Sequence, residues 1–268
     1  MSVGSATEPA SDARAPAAFE PGLRFEGVSK RFGLQHERIR SFQELWVRLL
    51  RRTRVAEWED FWALRDVSFE VHAGEMLGVI GRNGSGKSTL LRLAARTMRP
   101  TSGRVLIRGR VAPLLDLGSG FHPELSGRDN IYLNGCILGL SRAEIDERYG
   151  DIVQFSELDH FIDTPLKHYS TGMWLRLGFS VAAYTDADVL LVDEALGVGD
   201  AEFRQKCLDR IDDFRKRGKT ILLVSHDLAQ VAETCDRALW LDHGQIRALG
   251  PSAHVVAEYL QHGEPPVR

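Results

Sequence analysis

The chain has 268 residues, with 34 Lys and Arg against 37 Asp and Glu, and 43% of its residues are hydrophobic. This near-neutral balance excludes a strong field for nucleic acid, and the composition is typical of a folded chain. The longest apolar runs, such as Val189–Val192, are far shorter than the roughly 18–20 residues of a membrane-spanning helix. We therefore expect no bilayer crossing by this chain.

Neither the first and last residues of the chain nor its cysteines indicate ordered structure or disulfides. Residues 1–20 are rich in Ala, Ser and Pro and lack an apolar core, so we expect a disordered leader and no secretion signal. Residues 263–268 are expected to form a frayed tail. Cys136, Cys207 and Cys235 are odd in number and widely spaced, which favours reduced, buried thiols in a cytoplasmic protein.

The first part of the chain predicts two strands separated by an insert. Leu23–Val28 is an extended run that should end in a turn at Ser29–Gly33, and Trp62–Val71 alternates apolar and polar residues. Residues 34–60 have apolar residues at helical spacing, so we predict an amphipathic basic helix. A concentrated positive charge on this segment comes from Arg40, Arg48, Arg51, Arg52 and Arg54.

After Gly74 the pattern changes to buried strands alternating with helices. Strands are predicted at Met76–Ile80, Val189–Asp193 and Thr220–Ser225, and a helix at Ser88–Met98. Apolar strands of this kind are typical of a parallel sheet covered by helices on both faces. We therefore predict an α/β core.

Residues 125–185 are mostly helical in pattern. Within them, Ser141 and Glu144 have the spacing of a capping box, in which each of the two residues caps a backbone N–H of the other. We predict a helical subdomain inserted into the α/β core, the two together forming one domain over residues 21–262.

A phosphate-binding motif follows the strand Met76–Ile80. The pattern G-x-x-x-x-G-K-S is satisfied by Gly81, Arg82, Asn83, Gly84, Ser85, Gly86, Lys87 and Ser88, and Thr89 follows it. The glycines allow backbone N–H groups to surround a phosphate, Lys87 can reach the β and γ phosphates, and Ser88 can ligate Mg²⁺. The alternative is a simple Gly/Ser-rich turn, but the strand–loop–helix context favours nucleotide binding.

Two further strands end in residues suited to phosphate chemistry. Val189–Val192 is followed by Asp193, suited to hold Mg²⁺ through water, and by Glu194, suited to polarise the attacking water. Strands that end in solvated acids are the alternative. His226 follows the strand ending at Ser225, where a neutral imidazole can hydrogen-bond the γ-phosphate, unless its position is incidental.

Tyr169–Met173, here named the signature segment, precedes a predicted helix at Trp174–Ala183. The Ser170 hydroxyl, the Gly172 N–H and the helix N-terminus together form an anion site. Ser170 can equally be an ordinary N-cap.

The order of these motifs along the chain resembles that of the nucleotide-binding subunits of ABC transporters, and the resemblance covers Leu23–Leu260. The resemblance implies a P-loop NTPase core, with a mixed sheet wrapped by helices and an inserted helical subdomain. ATP and Mg²⁺ would be its cofactors. It further implies a head-to-tail dimer in which Ser170, Thr171, Gly172 and Met173 act in trans on the nucleotide bound at the partner's Gly81–Thr89. Asp200 would lie at the dimer interface.

Two departures from the common pattern refine this resemblance. The signature segment reads Y-S-T-G-M, and Asp116 is the nearest polar residue to the usual glutamine position, where a ligand of Mg²⁺ or water is expected. Both features, and the insert, look like the ATPase of bacterial O-antigen and teichoic-acid exporters. That resemblance implies export of a lipid-linked polysaccharide through a separate transmembrane permease, contacted around Gly118–Asn130. The chain would then be peripheral, at the cytoplasmic face of the inner membrane.

Several alternatives stay open from the sequence. The family's adenine-stacking aromatic corresponds to Phe32, with Trp62 as a rival. The insert arginines can face lipid headgroups or only solvent. Phe121 and Tyr132 can be permease anchors or core residues. An exporter of drugs or small molecules, and a non-transport ABC protein acting on ribosomes or DNA, are alternative functions, although the charge argues against nucleic acid as a partner.

Overall fold

The computed structural model describes residues 21–35, 58–115, 117–193 and 200–262. The strands are β1 (Pro21–Gln35), β2 (Trp58–His72), β3 (Met76–Ile80), β4 (Ser102–Ile107), β5 (Val111–Leu114), β6 (Val189–Val192), β7 (Thr220–Val224), β8 (Arg237–Asp242) and β9 (Gln245–Pro251). The helices are α1 (Lys87–Ala94), α2 (Gly127–Ile137), α3 (Arg142–Ser156), α4 (Thr171–Ala183), α5 (Ala201–Lys216), α6 (Leu228–Thr234) and α7 (Ser252–His262).

The described strands form two sheets. One is antiparallel with the order β2-β1-β4, and the other has the order β5-β6-β7-β3-β8-β9, parallel except for the antiparallel pair β8 and β9. Every residue of β3, β6 and β7 is buried, because separate apolar clusters cover the two faces of the larger sheet. The carboxyl ends of these three neighbouring strands therefore meet at one edge.

Helices α2, α3 and the first half of α4 share a third apolar cluster, which includes Ile131, Ile152 and Leu177. The predicted capping box is confirmed at the start of α3. The Glu144 N–H donates to the Ser141 hydroxyl at 3.3 Å, and the Ser141 N–H donates to the Glu144 carboxylate at 2.7 Å. The limits 125–185 for a helical subdomain stay a prediction.

The predicted turn at Ser29–Gly33 is wrong. Strand β1 continues through it to Gln35, because β2 pairs with it along this length and places Phe61 opposite Phe32. The outer residues of the predicted insert, 34–35 and 58–60, therefore belong to strands. Its arginines, with the leader 1–20 and the tail 263–268, lie outside the described residues.

Two helix limits also differ from the prediction. Helix α1 ends at Ala94, not Met98, and Arg96 just beyond it has a φ of 58°, which a helix cannot continue through. Helix α4 begins at Thr171, before the expected Trp174.

Cys207 and Cys235 are buried as expected, and burial raises their thiol pKa values to about 12 and about 11. Cys136, by contrast, is exposed, because it lies near the end of α2 outside the apolar clusters. The expectation of three buried thiols is therefore wrong for Cys136. No helix in the described part of the chain is long and apolar enough to span a membrane.

Candidate nucleotide-binding site

The phosphate loop (Gly81–Ser88) connects buried β3 to α1, as the motif requires. Gly81 has a φ of 150° and Gly86 a φ of 110°, both in the region that favours glycine. A Cβ on Gly81 would collide with the carbonyl oxygen of Leu241, and one on Gly86 with that of Ala63. The close packing of the loop on these backbones explains why both positions are glycine.

The Lys87 side chain is buried within the phosphate loop. Its ammonium donates hydrogen bonds to the carbonyl oxygens of Gly81 at 2.7 Å and Arg82 at 3.0 Å. Burial lowers the pKa of Lys87, and the negative charge of Asp193 opposes that shift. The lysine is therefore held in position by its own loop, near an acid from a neighbouring strand.

A cavity of about 210 Å³ brings most of the predicted nucleotide-binding residues together. It is lined by Asn83, Gly84, Gly86, Lys87, Ser88, Thr89 and Asp193, with Phe61, Ala63 and Val224. Gly81, Arg82 and Ser85 complete the loop beside it. The Ser85 hydroxyl is buried and has no hydrogen-bond partner within the described ranges.

Asp193 and His226 lie at the same sheet edge as the phosphate loop. Asp193 directly follows β6, and His226 lies two residues beyond Val224, the end of β7. The Ser225 hydroxyl accepts a bond from the Asp227 N–H at 3.0 Å, and Asp227 caps α6. His226 is exposed and does not line the cavity.

The cavity has the oxygen donors that suit Mg²⁺. The Ser88 hydroxyl and the Asp193 carboxylate both line it. The described ranges contain no cluster of three or more His, Cys, Asp or Glu side chains that could hold a metal. Protein sites for Mg²⁺ with phosphate substrates commonly use one or two carboxylates, the phosphates and water, so this donor set fits. Asp116 and Glu194 lie outside the described residues.

The aromatic residues of β1 and β2 separate onto two faces. Phe32 is paired with Phe61, and directly paired residues of an antiparallel ladder lie on the same face. Phe61 lines the cavity and is 46% exposed. Trp62 instead contacts two guanidinium groups, of Arg31 at 5.8 Å and Arg65 at 5.5 Å. The structure therefore places Phe32, not Trp62, on the face of β1 and β2 that meets the cavity.

Phe61 is a cavity residue that the sequence reasoning missed. The signal that could have found it is the strand period of two, which puts Phe61 on the same face as Ala63. Both residues line the cavity.

The turn between β8 and β9 connects the phosphate loop to β2. The Gly244 N–H donates to the carbonyl oxygen of Ser85 at 2.9 Å, and the Arg65 N–H donates to the Gly244 carbonyl oxygen at 2.8 Å. A Cβ on Gly244 would lie 2.7 Å from the carbonyl oxygen of Ala63. The backbone of this one residue therefore bonds to both the phosphate loop and β2.

The signature segment does not reach this cavity. Ser170 is the N-cap of α4, and its hydroxyl accepts a bond from the Met173 N–H at 3.2 Å. Thr171 and Gly172 lie in the first helical turn, and none of these residues lines the cavity. The anion site predicted at the start of α4 and the phosphate loop are thus separate within one chain.

Asp200 is the N-cap of α5. One carboxylate oxygen accepts a bond from the Phe203 N–H at 3.0 Å, and the other pairs with Arg176 at 2.6 Å. The bond from the Phe203 N–H and the positive charge of Arg176 lower the pKa of Asp200.

A phosphate loop after a buried strand, with an acid at a neighbouring strand end, defines a P-loop nucleotide-binding protein. The family model described as ABC transporter matches residues 64–197. The chain is 45% identical over 241 residues to the O-antigen export system ATP-binding protein RfbB of Klebsiella pneumoniae, covering 90% of this chain and 98% of that protein. It is 40% identical to the teichoic acids export ATP-binding protein TagH of Listeria monocytogenes, covering 88% and 69% respectively.

Solved structures share the fold. An ATP-binding subunit of an ABC transporter superposes with a TM-score of 0.70 at 23% identity, covering 90% of this chain and 95% of that chain. A dimeric ATP-binding cassette in a post-hydrolysis state with ADP and Pi superposes with a TM-score of 0.67 at 19% identity, covering 86% and 98%. The chain belongs to the ABC transporter family, and it is an ATP-binding cassette ATPase with the predicted P-loop fold.

Proposed function

We propose that this chain hydrolyses ATP to power the export of a lipid-linked polysaccharide of the O-antigen or teichoic-acid type. The observation that carries this proposal is the cavity at the edge of β6, β7 and β3, which joins the phosphate loop to Asp193. The substrate class rests on the relatives named for O-antigen and teichoic acid export, one of which is matched over 98% of its length.

Each residue at the sheet edge has a distinct role in the proposed reaction. Lys87 exchanges its two carbonyl partners for the β and γ phosphates, and the loop N–H groups surround them. Ser88 and Asp193 hold Mg²⁺, which when bound neutralises developing phosphate charge. Glu194 polarises the attacking water and His226 hydrogen-bonds the γ-phosphate, both as their positions after the strands β6 and β7 predict.

We further propose a head-to-tail dimer of two copies. The signature segment and the phosphate loop are separate within one chain, so a second copy is needed for Ser170 and Gly172 to meet a bound nucleotide. Asp200 would lie at the same interface. Two sandwiched nucleotides would then close the dimer.

The permease contact is proposed at a groove beside α2. A cavity of about 250 Å³ is lined by residues from the segment after β5 and from α2, including Leu117, Gly118 and Ile137. Phe121 and Tyr132, considered above as anchors, pack inside the helical cluster, Phe121 against Trp174 at 5.3 Å. Ile137 is 60% exposed and is the better anchor.

This contact would place the chain at the cytoplasmic face of the inner membrane. Contact of lipid headgroups with Arg48, Arg51, Arg52 and Arg54 is part of the same proposal, and those residues lie outside the described ranges.

The substitution Glu194→Gln tests the proposal in cells and with purified protein. We expect loss of ATP hydrolysis and accumulation of a lipid-linked polysaccharide on the cytoplasmic side, measured by mass spectrometry of extracted lipids. Glu202→Gln, an exposed acid on α5, is the matched control and should show neither effect. Accumulation of a small molecule instead would assign the chain to another export class, and a purified wild-type chain that does not hydrolyse ATP would overturn the proposal.

The groove is tested separately by Ile137→Glu. We expect it to abolish co-purification with the membrane permease, because a charge would be buried in the apolar contact. Leu260→Glu is the matched control, since Leu260 is an equally exposed apolar residue on α7, 63% exposed. Equal co-purification of both variants would contradict the proposed groove.

A further inference from the structure

The guanidinium of Arg176 connects three helices. It lies on α4, the helix that begins at the signature segment, and bonds to Glu157 at the end of α3 and to Asp200 at the start of α5, each at 2.6 Å. Its carbon lies 4.8 Å from the ring centre of Phe203 on α5. The Arg176 side chain is only 17% exposed, whereas its partners Glu157 and Asp200 are 40% and 63% exposed.

Both acids in this network are fixed by a second partner. One Asp200 oxygen bonds to Arg176 while the other caps α5 through the Phe203 N–H. Glu157 bonds to Lys206 of α5 at 2.7 Å as well as to Arg176. Hydrogen bonds from Lys206 and Arg176 lower the pKa of Glu157, so both acids are ionised at neutral pH. Charge-assisted bonds of this kind hold geometry better than neutral ones.

We propose that Arg176 is a positioning residue that holds the signature segment and Asp200 at a fixed separation. This inference rests on the proposed head-to-tail dimer, in which both surfaces meet the partner copy. Arg176 does not itself contact the nucleotide, because its guanidinium is occupied by Glu157 and Asp200. Its effect reaches ATP hydrolysis through the placement of Ser170 and Gly172.

Two variants remove the Arg176–Asp200 contact, and Arg176→Met also removes the contact with Glu157. Arg176→Met removes the charge and keeps an unbranched apolar chain against Phe203, and Asp200→Asn keeps an oxygen that can cap α5 while removing the negative charge. We expect each variant to lower kcat about tenfold or more, since small misplacements of positioning groups have large rate effects. The Kd for ATP binding to the monomer should change less than about twofold, because neither Arg176 nor Asp200 lines the cavity at the phosphate loop.

Three further measurements separate positioning from general stability. The double variant should be no slower than the slower of the two single variants, because both remove the Arg176–Asp200 contact. Arg176→Lys should recover part of the rate, since an ammonium can pair with one of the two acids. Glu157→Gln leaves the Arg176–Asp200 contact intact, so it should lower kcat less than Asp200→Asn does. The thermal unfolding of every variant is measured as well.

Multiplicative losses in the double variant, an unchanged kcat in Arg176→Met, or losses that simply follow the melting temperature would each overturn the inference. These results would leave the proposed function standing, provided that the wild-type chain hydrolyses ATP. A wild-type chain without hydrolysis would overturn both.

Discussion

At the scale of single residues, Lys87 shows how the site is prepared for an anion. Its ammonium is already held in position by the hydrogen bonds that it donates to the carbonyl oxygens of Gly81 and Arg82. A phosphate therefore replaces two neutral acceptors with charged ones, which adds a direct attraction between opposite charges. The burial that lowers the pKa of Lys87 also strengthens its interaction with a bound phosphate, because the local dielectric is low.

We predict that Lys87→Ala weakens ATP binding by about 10- to 100-fold, because the charge-assisted bonds to the phosphates are lost. Isothermal titration calorimetry measures this directly. Lys216→Ala is the matched control, since Lys216 is an exposed lysine of α5 paired with Asp212, and its affinity should equal that of the wild type. Equal affinities of Lys87→Ala and the wild type would exclude the cavity as the phosphate site.

The two aromatic candidates for adenine predict different results. Phe32→Ala should weaken ATP binding by about 1–3 kcal/mol if its ring stacks on the base. Trp62→Ala should leave ATP binding unchanged, because its ring contacts Arg31 and Arg65 on the other face. Fluorescence titration of a labelled ATP analogue measures both. The reverse ranking would assign the base to Trp62.

The predicted site residues that line the cavity are those whose chemistry is local in sequence. The phosphate loop needs only eight consecutive residues after a strand, and Asp193 needs only a strand that ends in an acid. The strand period of two puts Phe61 on the face of Ala63, but the contact of that face with the phosphate loop depends on tertiary packing, which no local pattern gives. The contact of Arg176 with Asp200 depends in the same way on the packing of α4 against α5.

At the scale of elements, buried strands were predicted better than helix ends. Met76–Ile80 matches β3 at both ends, because a fully buried strand must be apolar throughout. Helix α1 ends without Gly or Pro, and the left-handed residue after it is Arg96, so its end carries no sequence signal. Gly33 resembles a turn residue, but pairing with β2 keeps the chain extended there, which shows tertiary contacts overriding local propensity.

The start of α3 should depend on pH. The backbone N–H and hydroxyl of Ser141, with Arg110, lower the pKa of Glu144 to about 2. A lowered pKa in the folded state means that the stabilisation is complete above the unfolded value, near 4.5, and is lost as the pH falls toward 2. Wild type should therefore be more resistant to urea than Glu144→Gln at pH 7.

The wild-type advantage over Glu144→Gln should shrink as the pH falls below about 4.5, as measured by urea midpoints across that range. Glu147→Gln, an exposed acid in the same helix, is the matched control. A pH-independent difference between wild type and Glu144→Gln would show that the carboxylate charge has no part in capping α3.

At the scale of the whole molecule, the signature segment and the phosphate loop are separate within one chain. Gly172 lies at the start of α4, and a Cβ added there would meet only the Ser170 hydroxyl, at 3.8 Å. A larger side chain at this position therefore fits within its own chain. Any strong effect of such a side chain on nucleotide chemistry must come from a contact with another molecule.

We predict that Glu194→Gln forms a dimer with ATP and that adding Gly172→Asp abolishes it, because a carboxylate would face the partner's γ-phosphate. Analytical ultracentrifugation with and without ATP measures the effect. Gly150→Asp is the matched control, since Gly150 lies on α3 and a Cβ there meets nothing within 4 Å. If Gly172→Asp still dimerises with ATP, the signature segment does not contact the nucleotide in trans.

The turn at Gly244 makes the nucleotide site depend on a part of the chain far from every nucleotide motif. The Gly244 N–H donates to Ser85 and the Gly244 carbonyl oxygen accepts from Arg65, so the hairpin of β8 and β9 links the phosphate loop to β2. Substitutions that distort this hairpin should therefore act as affinity mutations, although no residue of the hairpin lines the cavity. In a screen for loss of export, such variants would have the same phenotype as the phosphate-loop mutants. Restoring the hairpin alone would recover export in the hairpin variants and not in the phosphate-loop mutants.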